Sequence, residues 1–173
     1  MPVIIDIANE PRVRVFTAAD LTGSEETAIA FAGGLCLIFR LRVSDHHRFY
    51  YIDSGTQGKQ TTLPGVLHTV QPIALERYPI YKRNNRVCTL LHTDHFGTLA
   101  QTEVGAMMVG KIKNHHASGH AFTRGEEKGW FEFGGSTVVL LTQPGCVVMD
   151  ECFPANTDKE TPVHFGEIIG LKG

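Results

Sequence analysis

Short apolar stretches with a two-residue period, broken by glycine too often for a long helix to form, are the strongest constraint this sequence places on its fold. Leu35, Leu37, Phe39, Leu41 and Val43 alternate with Cys36, Ile38, Arg40 and Arg42, the repeat of a strand whose successive side chains point to opposite faces. The Arg40 and Arg42 pair predicts a solvated face at one end of that strand. Further strands are expected over 86–91, 99–113, 128–133, 136–142 and 146–149, punctuated by glycines such as Gly97, Gly105, Gly110, Gly129 and Gly134. Glycine inside a strand pattern marks bulges and tight bends. Residues 54–59 (Ser-Gly-Thr-Gln-Gly-Lys) read as a turn or flexible loop. Thr17 is placed to cap a short helix running to Leu21. The expected fold is therefore mainly β, a compact barrel or sandwich of short strands with a few short helices.

A chain of 173 residues without repeat, linker or low-complexity tract is expected to form one domain, 1–173. Its 16 Lys+Arg against 18 Asp+Glu, a formal net charge of −2, leave no basic face for nucleic acid and no polybasic run for anionic lipid. The longest weakly polar stretch, 28–39, is shorter than the ~20 residues that a membrane-spanning helix needs. The first residues lack the basic start and apolar run of a secretion signal, so a cytoplasmic location with peripheral membrane contact is expected. Cys36, Cys88, Cys146 and Cys152 show no CxxC spacing and read as thiols.

Chemistry concentrates around Ser136. In Phe133-Gly134-Gly135-Ser136-Thr137, a hydroxyl residue follows two glycines and opens an apolar strand. Glycine permits close approach, so a neighbouring nucleophile could reach the Gly135 carbonyl. Alone, the tetrapeptide is equally the composition of a tight turn before a buried strand. His92-x-x-His95 and His115-His116 fit no recognised metal-ligand spacing with carboxylates or cysteines, and residues i and i+3 of a strand face opposite ways. These histidines read as solvated or structural, and no metal is expected.

The surroundings of Ser136 resemble the phosphatidylserine decarboxylase family, most closely its shorter bacterial branch. The segment 133–141 is similar to the family's processing segment, 103–112 to the block upstream of it, and 124–129 to the stretch before the cleaved strand. Residues 65–72 (Gly-Val-Leu-His-Thr-Val-Gln-Pro) and 45–49 (Asp-His-His-Arg-Phe) fit earlier blocks in the right order. The resemblance covers about Val15 to Leu141. It implies that the Ser136 hydroxyl attacks the Gly135 carbonyl, giving chains 1–135 and 136–173, with Ser136 converted to a covalent pyruvoyl group. That carbonyl condenses with the substrate amine and draws electrons as carbon dioxide leaves, so no external cofactor is implied.

The same resemblance assigns the other candidate residues. His47 matches the histidine of the family's Asp-x-His-Arg motif and is expected to protonate the carbanion that decarboxylation leaves. Asp45 is expected to orient His47 or Arg48, or to cap a turn. Arg48 and Tyr50 are the substrate-facing candidates, Arg48 because its planar fork pairs with carboxylate or phosphate. Long-chain members carry an aspartate in an upstream Ala-Asp-Gly motif and a second histidine three places after the first. Here the chain begins after the upstream motif and Tyr50 stands in the second histidine's place. His68, which lies in a matching block, is the base expected to serve Ser136. The implied reaction is decarboxylation of phosphatidylserine to phosphatidylethanolamine, with a phospholipid substrate, peripheral contact with the inner face of the membrane, and scope for homo-oligomer formation. Decarboxylation of a soluble amino acid, or a non-cleaving binding module on the same fold, are the competing expectations.

Overall fold

A computed structural model of the protein describes residues 3–4, 17–69, 83–106, 111–132, 136–153 and 160–173. Thirteen strands and two five-residue helices lie within them, so the fold is mainly β. A six-stranded antiparallel sheet runs in the order β2 (Cys36–Leu41), β10 (Ser136–Thr142), β6 (Gly97–Val104), β5 (Arg86–Thr93), β4 (Gly55–Leu63) and β8 (Ala121–Phe122). A three-stranded sheet comprises β3 (Arg48–Tyr50), β9 (Glu127–Glu132) and β7 (Lys111–Asn114). Two ribbons complete it: β1 (Val3–Ile4) with β12 (Thr161–Pro162), and β11 (Val147–Met149) with β13 (Gly170–Lys172).

Each face of the large sheet buries a different set of side chains, as the period of two requires. On one face Ile38, Cys88, Ala100, Val104, Val139 and Leu141 pack under Leu21 and Phe31, which are brought there by the helices α1 (Ala18–Thr22) and α2 (Glu25–Ile29). Thr17 caps α1 in a reciprocal box: its Oγ1 accepts from Asp20 N at 3.1 Å, and Asp20 Oδ2 accepts from Thr17 N at 2.8 Å. On the other face Leu41 and Val138 meet Phe49, Phe131 and Ile112 of the small sheet. The two sheets thus close on each other as a sandwich.

Three sequence-based expectations change. Beyond Ser54, the segment 54–59 is not a loop but the start of β4. Its glycines serve close packing: a Cβ on Gly55 would sit 2.1 Å from the His92 carbonyl oxygen, and one on Gly58 2.7 Å from His92 Nε2. The register of β4 against β5 shifts between Gln57 and Gln60, a bulge at that glycine. Of the arginine pair expected to be solvated, Arg42 is exposed but Arg40 is buried and forms a two-pronged ion pair with Glu160, with Nε donating to Oε1 at 2.6 Å. Finally, the strand expected over 99–113 is two elements in different sheets, β6 and β7, with 107–110 outside the described residues. All four cysteines are free thiols.

A buried ion pair ties the two sheets. Lys128 of β9 and Glu103 of β6 are both fully buried, with Nζ to Oε1 at 2.9 Å. Asn114 Oδ1 accepts a second ammonium hydrogen at 2.7 Å, and Gln101 Nε2 donates to Glu103 Oε1 at 3.0 Å. The ammonium lies 5.2 Å from the Phe49 ring centroid, within cation–π range. Burial outweighs the lysine's charge and pushes the Glu103 carboxyl above its ordinary pKa. Removing one partner of such a pair strands the other without a counter-charge, whereas replacing both with apolar groups can be neutral. Lys128→Met is therefore expected to cost about 3–5 kcal/mol of unfolding free energy, and Lys128→Met with Glu103→Leu to recover most of it. Denaturant melts followed by Trp130 fluorescence measure both; a single variant as stable as the parent would contradict this account.

Candidate active site

Ser136 opens β10, which is a central strand flanked by β2 and β6. Its register partner is Leu41 of β2, and Val138, the next residue on that face, sits opposite Glu103 of β6. Residues directly opposed across strands share a face, so Ser136 points into the space between the two sheets, and it has no solvent exposure.

The small sheet supplies the partner. A turn at 42–45 is closed by Asp45, whose Oδ2 accepts from Arg42 N at 2.7 Å and whose N donates to the Arg42 carbonyl at 2.9 Å. His47 follows, with its carbonyl accepting from Phe131 N at 2.9 Å. That bond extends the β3–β9 pairing by one residue and sets the direction of the imidazole. His47 Nδ1 lies 3.0 Å from Ser136 Oγ, joining residues 89 apart in sequence. Its Nε2 is buried and makes no hydrogen bond among the described residues, and the Thr137 hydroxyl is in the same condition.

Electrostatics favour a neutral imidazole. Burial is the largest influence on His47 and lowers its pKa from the ordinary 6.5, against the opposing pull of the Val43 backbone and the Asp45 charge. In the tautomer carrying its proton on Nε2, the serine hydroxyl donates to Nδ1, as a general base requires. Asp45 therefore acts on His47 through turn geometry and charge rather than by a contact with the ring.

The remaining candidates lie apart from the Ser136–His47 pair. His68 is exposed, and its backbone is held by Asn84: His68 N donates to Asn84 Oδ1 at 3.1 Å, and Asn84 Nδ2 donates to the His68 carbonyl at 2.8 Å. No hydrogen bond joins its imidazole to Ser136. Arg48 donates from Nη1 to Glu127 Oε1 at 2.5 Å on the surface, where His115 Nε2 also reaches that oxygen at 2.8 Å. Tyr50 packs on Phe165, with ring centroids 4.7 Å apart. Gly135, on the other side of the expected cleavage point, and its neighbours Phe133 and Gly134 lie outside the described residues, as does the end of the 65–72 block.

Two residues without a role in the sequence reading belong to this neighbourhood: Glu103 and Lys128, on the faces that enclose Ser136. Strand alternation alone would group Lys128 with Trp130 and Glu132, away from Phe131; it lies where the β3–β9 register shifts between Phe49 and Tyr50, an irregularity that local pattern does not disclose.

A buried serine hydroxyl within hydrogen-bond distance of an imidazole, at the head of an interior strand of a β-sandwich, is a candidate nucleophile with a base beside it. The chain belongs to the phosphatidylserine decarboxylase family, whose model matches residues 6–171. It is 44% identical over 158 residues to phosphatidylserine decarboxylase proenzyme 2 of Clostridium acetobutylicum, covering 90% of this chain and 54% of that protein. It is 37% identical over 173 residues to the phosphatidylserine decarboxylase proenzyme of Clostridium novyi, covering 97% and 59%. The proenzyme of Desulfitobacterium hafniense is 37% identical over 160 residues, covering 91% and 54%. The chain thus spans a little over half the length of these relatives.

The geometry makes a direct statement about titration. His47 in Ser136→Ala, which removes the hydroxyl but keeps the burial, is expected to titrate below 6.5. Imidazole proton shifts followed by NMR measure this, and a midpoint at or above that value would mean that burial does not govern the ring.

Proposed function

We propose that the chain cleaves itself between Gly135 and Ser136 and, with the pyruvoyl group so formed, decarboxylates phosphatidylserine to phosphatidylethanolamine and carbon dioxide. The single observation that carries this reading is the 3.0 Å approach of His47 Nδ1 to the buried Ser136 hydroxyl, in a chain whose relatives are named as proenzymes of that reaction. The residues present suit such a group, since a carbonyl at position 136 would stand in a water-poor space with an imidazole beside it.

In the first step Ser136 Oγ adds to the Gly135 carbonyl carbon while its proton passes to His47 Nδ1. The Gly135–Ser136 C–N bond breaks, the amine takes up a proton, and an ester replaces the peptide. Loss of the Ser136 Cα proton expels the Gly135 carboxylate, and addition of water with release of ammonia leaves the pyruvoyl group. Once formed, that group supplies the electron sink for decarboxylation. His47, no longer held by the hydroxyl, is then placed to donate to the carbanion whenever it carries a proton on the nitrogen that faced Ser136. One imidazole so serves both stages, which removes the need for His68 at Ser136.

The lipid reading draws support from exposed apolar side chains, one of them beside Tyr50. Phe165, on which Tyr50 packs, is 76% exposed, Ile168 is 69% exposed, and Val148 and Leu171 stand opposite each other on the exposed ribbon β11–β13. Such side chains suit peripheral contact with the cytoplasmic face of a membrane. Arg48, at 47% side-chain exposure, could exchange Glu127 for a substrate phosphate or carboxylate.

Intact-mass measurement tests the first half of the proposal. Two chains, with a pyruvoyl-blocked smaller one, are expected from the parent and a single chain from Ser136→Ala. His47→Ala is expected to slow cleavage by about a hundredfold or more, while His68→Ala cleaves at the parental rate. Since only neutral His47 accepts the proton and its pKa is lowered, the cleavage rate should fall to half its plateau at a pH below 6.5. Cleavage that persists in Ser136→Ala, or that depends on His68 and not His47, would overturn the mechanism. Carbon dioxide released from phosphatidylserine vesicles but not from free serine is the result expected for the second half; the reverse preference would assign a soluble substrate.

A further inference from the structure

The chain between β7 and β9 brings together three side chains that no part of the proposed chemistry uses. Beyond Asn114 it turns at Ala117–Gly119, where His120 N donates to the Ala117 carbonyl at 3.4 Å and Gly119 adopts φ +93°. The turn folds His120 back onto His116. Their rings stack with centroids 3.5 Å apart and planes within 11°. Both Nε2 atoms reach one carboxylate oxygen, Glu126 Oε1, from His120 at 2.6 Å and from His116 at 3.3 Å. One donor atom from each residue lies within 4.8 Å of the other two, and this is the one such trio among the described residues. The sequence reading weighed His116 only with its neighbour His115, where the turn instead selects His116 and His120.

We infer that His116, His120 and Glu126 form a binding site for one zinc-class divalent cation. Two imidazole nitrogens and one carboxylate oxygen are a donor set for borderline first-row ions rather than for magnesium or calcium. Bonds of about 2.0–2.1 Å to a tetrahedral ion place its ligands about 3.3–3.4 Å from one another. The His116–Glu126 separation already has that value, and capture requires the two stacked rings to swing apart so that both Nε2 lone pairs converge on one ion. Three protein ligands leave a fourth position for water.

The supports around the trio are those of a held site. Gln57, 1% exposed, fixes the loop from below: its Nε2 donates to the His116 carbonyl at 3.0 Å, its N to the His120 carbonyl at 2.8 Å, and its carbonyl accepts from Gly119 N at 2.6 Å. The Tyr51 hydroxyl in turn fixes Gln57 Oε1 at 2.6 Å. On the other side Thr123 donates to Glu126 Oε2 through N at 3.0 Å and Oγ1 at 3.3 Å, which leaves Oε1 turned to the imidazoles. Outer contacts of this kind orient metal ligands. Side-chain exposures of 34%, 28% and 28% for His116, His120 and Glu126 leave the trio open to an ion from solution. A bound ion would clamp the 115–126 strap against β4, at a distance in sequence from both Ser136 and His47.

Titration of untagged, chelator-stripped protein with zinc and with cobalt tests the assignment. One equivalent of zinc is expected to bind with a dissociation constant in the micromolar range or below and to raise the melting temperature. Cobalt should give the visible absorption of a tetrahedral site. His120→Ala and Glu126→Gln, the latter keeping a hydrogen-bond acceptor while losing the charge, should each weaken binding at least tenfold, and His92→Ala should leave it unchanged. Absence of the cobalt band, or zinc affinity that is the same in the parent, His120→Ala and Glu126→Gln, would overturn the site.

Discussion

An ammonium group with no solvent exposure is an unusual thing for a domain of this size to contain, and the arrangement of the two sheets follows from how it is accommodated. Lys128 can be buried only where a carboxylate, an amide oxygen and an aromatic face converge, and those come from three places: Glu103 on the large sheet, Asn114 on the edge of the small one, and Phe49 on its other edge. A one-residue slip of β6 or β9 within its sheet would turn Glu103 or Lys128 to the opposite face. The ion pair therefore acts as a register pin, whatever its net energy. Gly129 belongs to the same solution. A Cβ there would lie 1.9 Å from the Lys113 carbonyl oxygen and 2.9 Å from the Phe49 ring, so only glycine lets the aromatic settle beside the lysine.

The Ser136–His47 pair depends on that closure. The serine is carried by the large sheet and the histidine by the strand edge of the small one, so neither is near the other until the sheets meet. Burial then does two things at once. It lowers the pKa of the imidazole, keeping it able to take a proton, and it keeps water away from a serine that would react with its own backbone. A site of this form suits a reaction that occurs once per molecule, since nothing has to diffuse in for the first step.

How far residues alone disclose this can be argued case by case. The strand Ser136–Thr142 was legible to the residue because an apolar run that long, opened by two glycines, has few alternatives. His47 and Ser136 were legible as members of a site but not as a contacting pair, because 89 residues and two sheets separate them, and pairing across sheets is set by topology rather than by local pattern. His68 drew attention through its block, yet its exposed side chain reflects a backbone role, pinned by Asn84. The segment 54–59 misled because glycine has two uses, and the one at work here, admitting the His92 backbone and ring, depends on a neighbour 35 or so residues away. Arg40 looked solvated because its partner, Glu160, lies 120 residues on.

The position of Ser136 at the head of β10 also bears on what a cut before it would leave behind. From Ser136 onward the strand pairs with β2 at six register positions, and from Thr137 with β6 at six. Its Val139, Leu140 and Leu141 sit in the two cores on either side of the sheet. A break at the N-terminal end of such a strand removes one covalent link and no ladder hydrogen bond among those pairs. Glu160, beyond the strand, would continue to hold Arg40 of the other piece. The two products are thus expected to stay joined as one domain, and the group formed at position 136 would remain fixed in the wall that His47 faces. An interior strand would make such a cut compatible with the fold, since β10 stays paired on both sides beyond it.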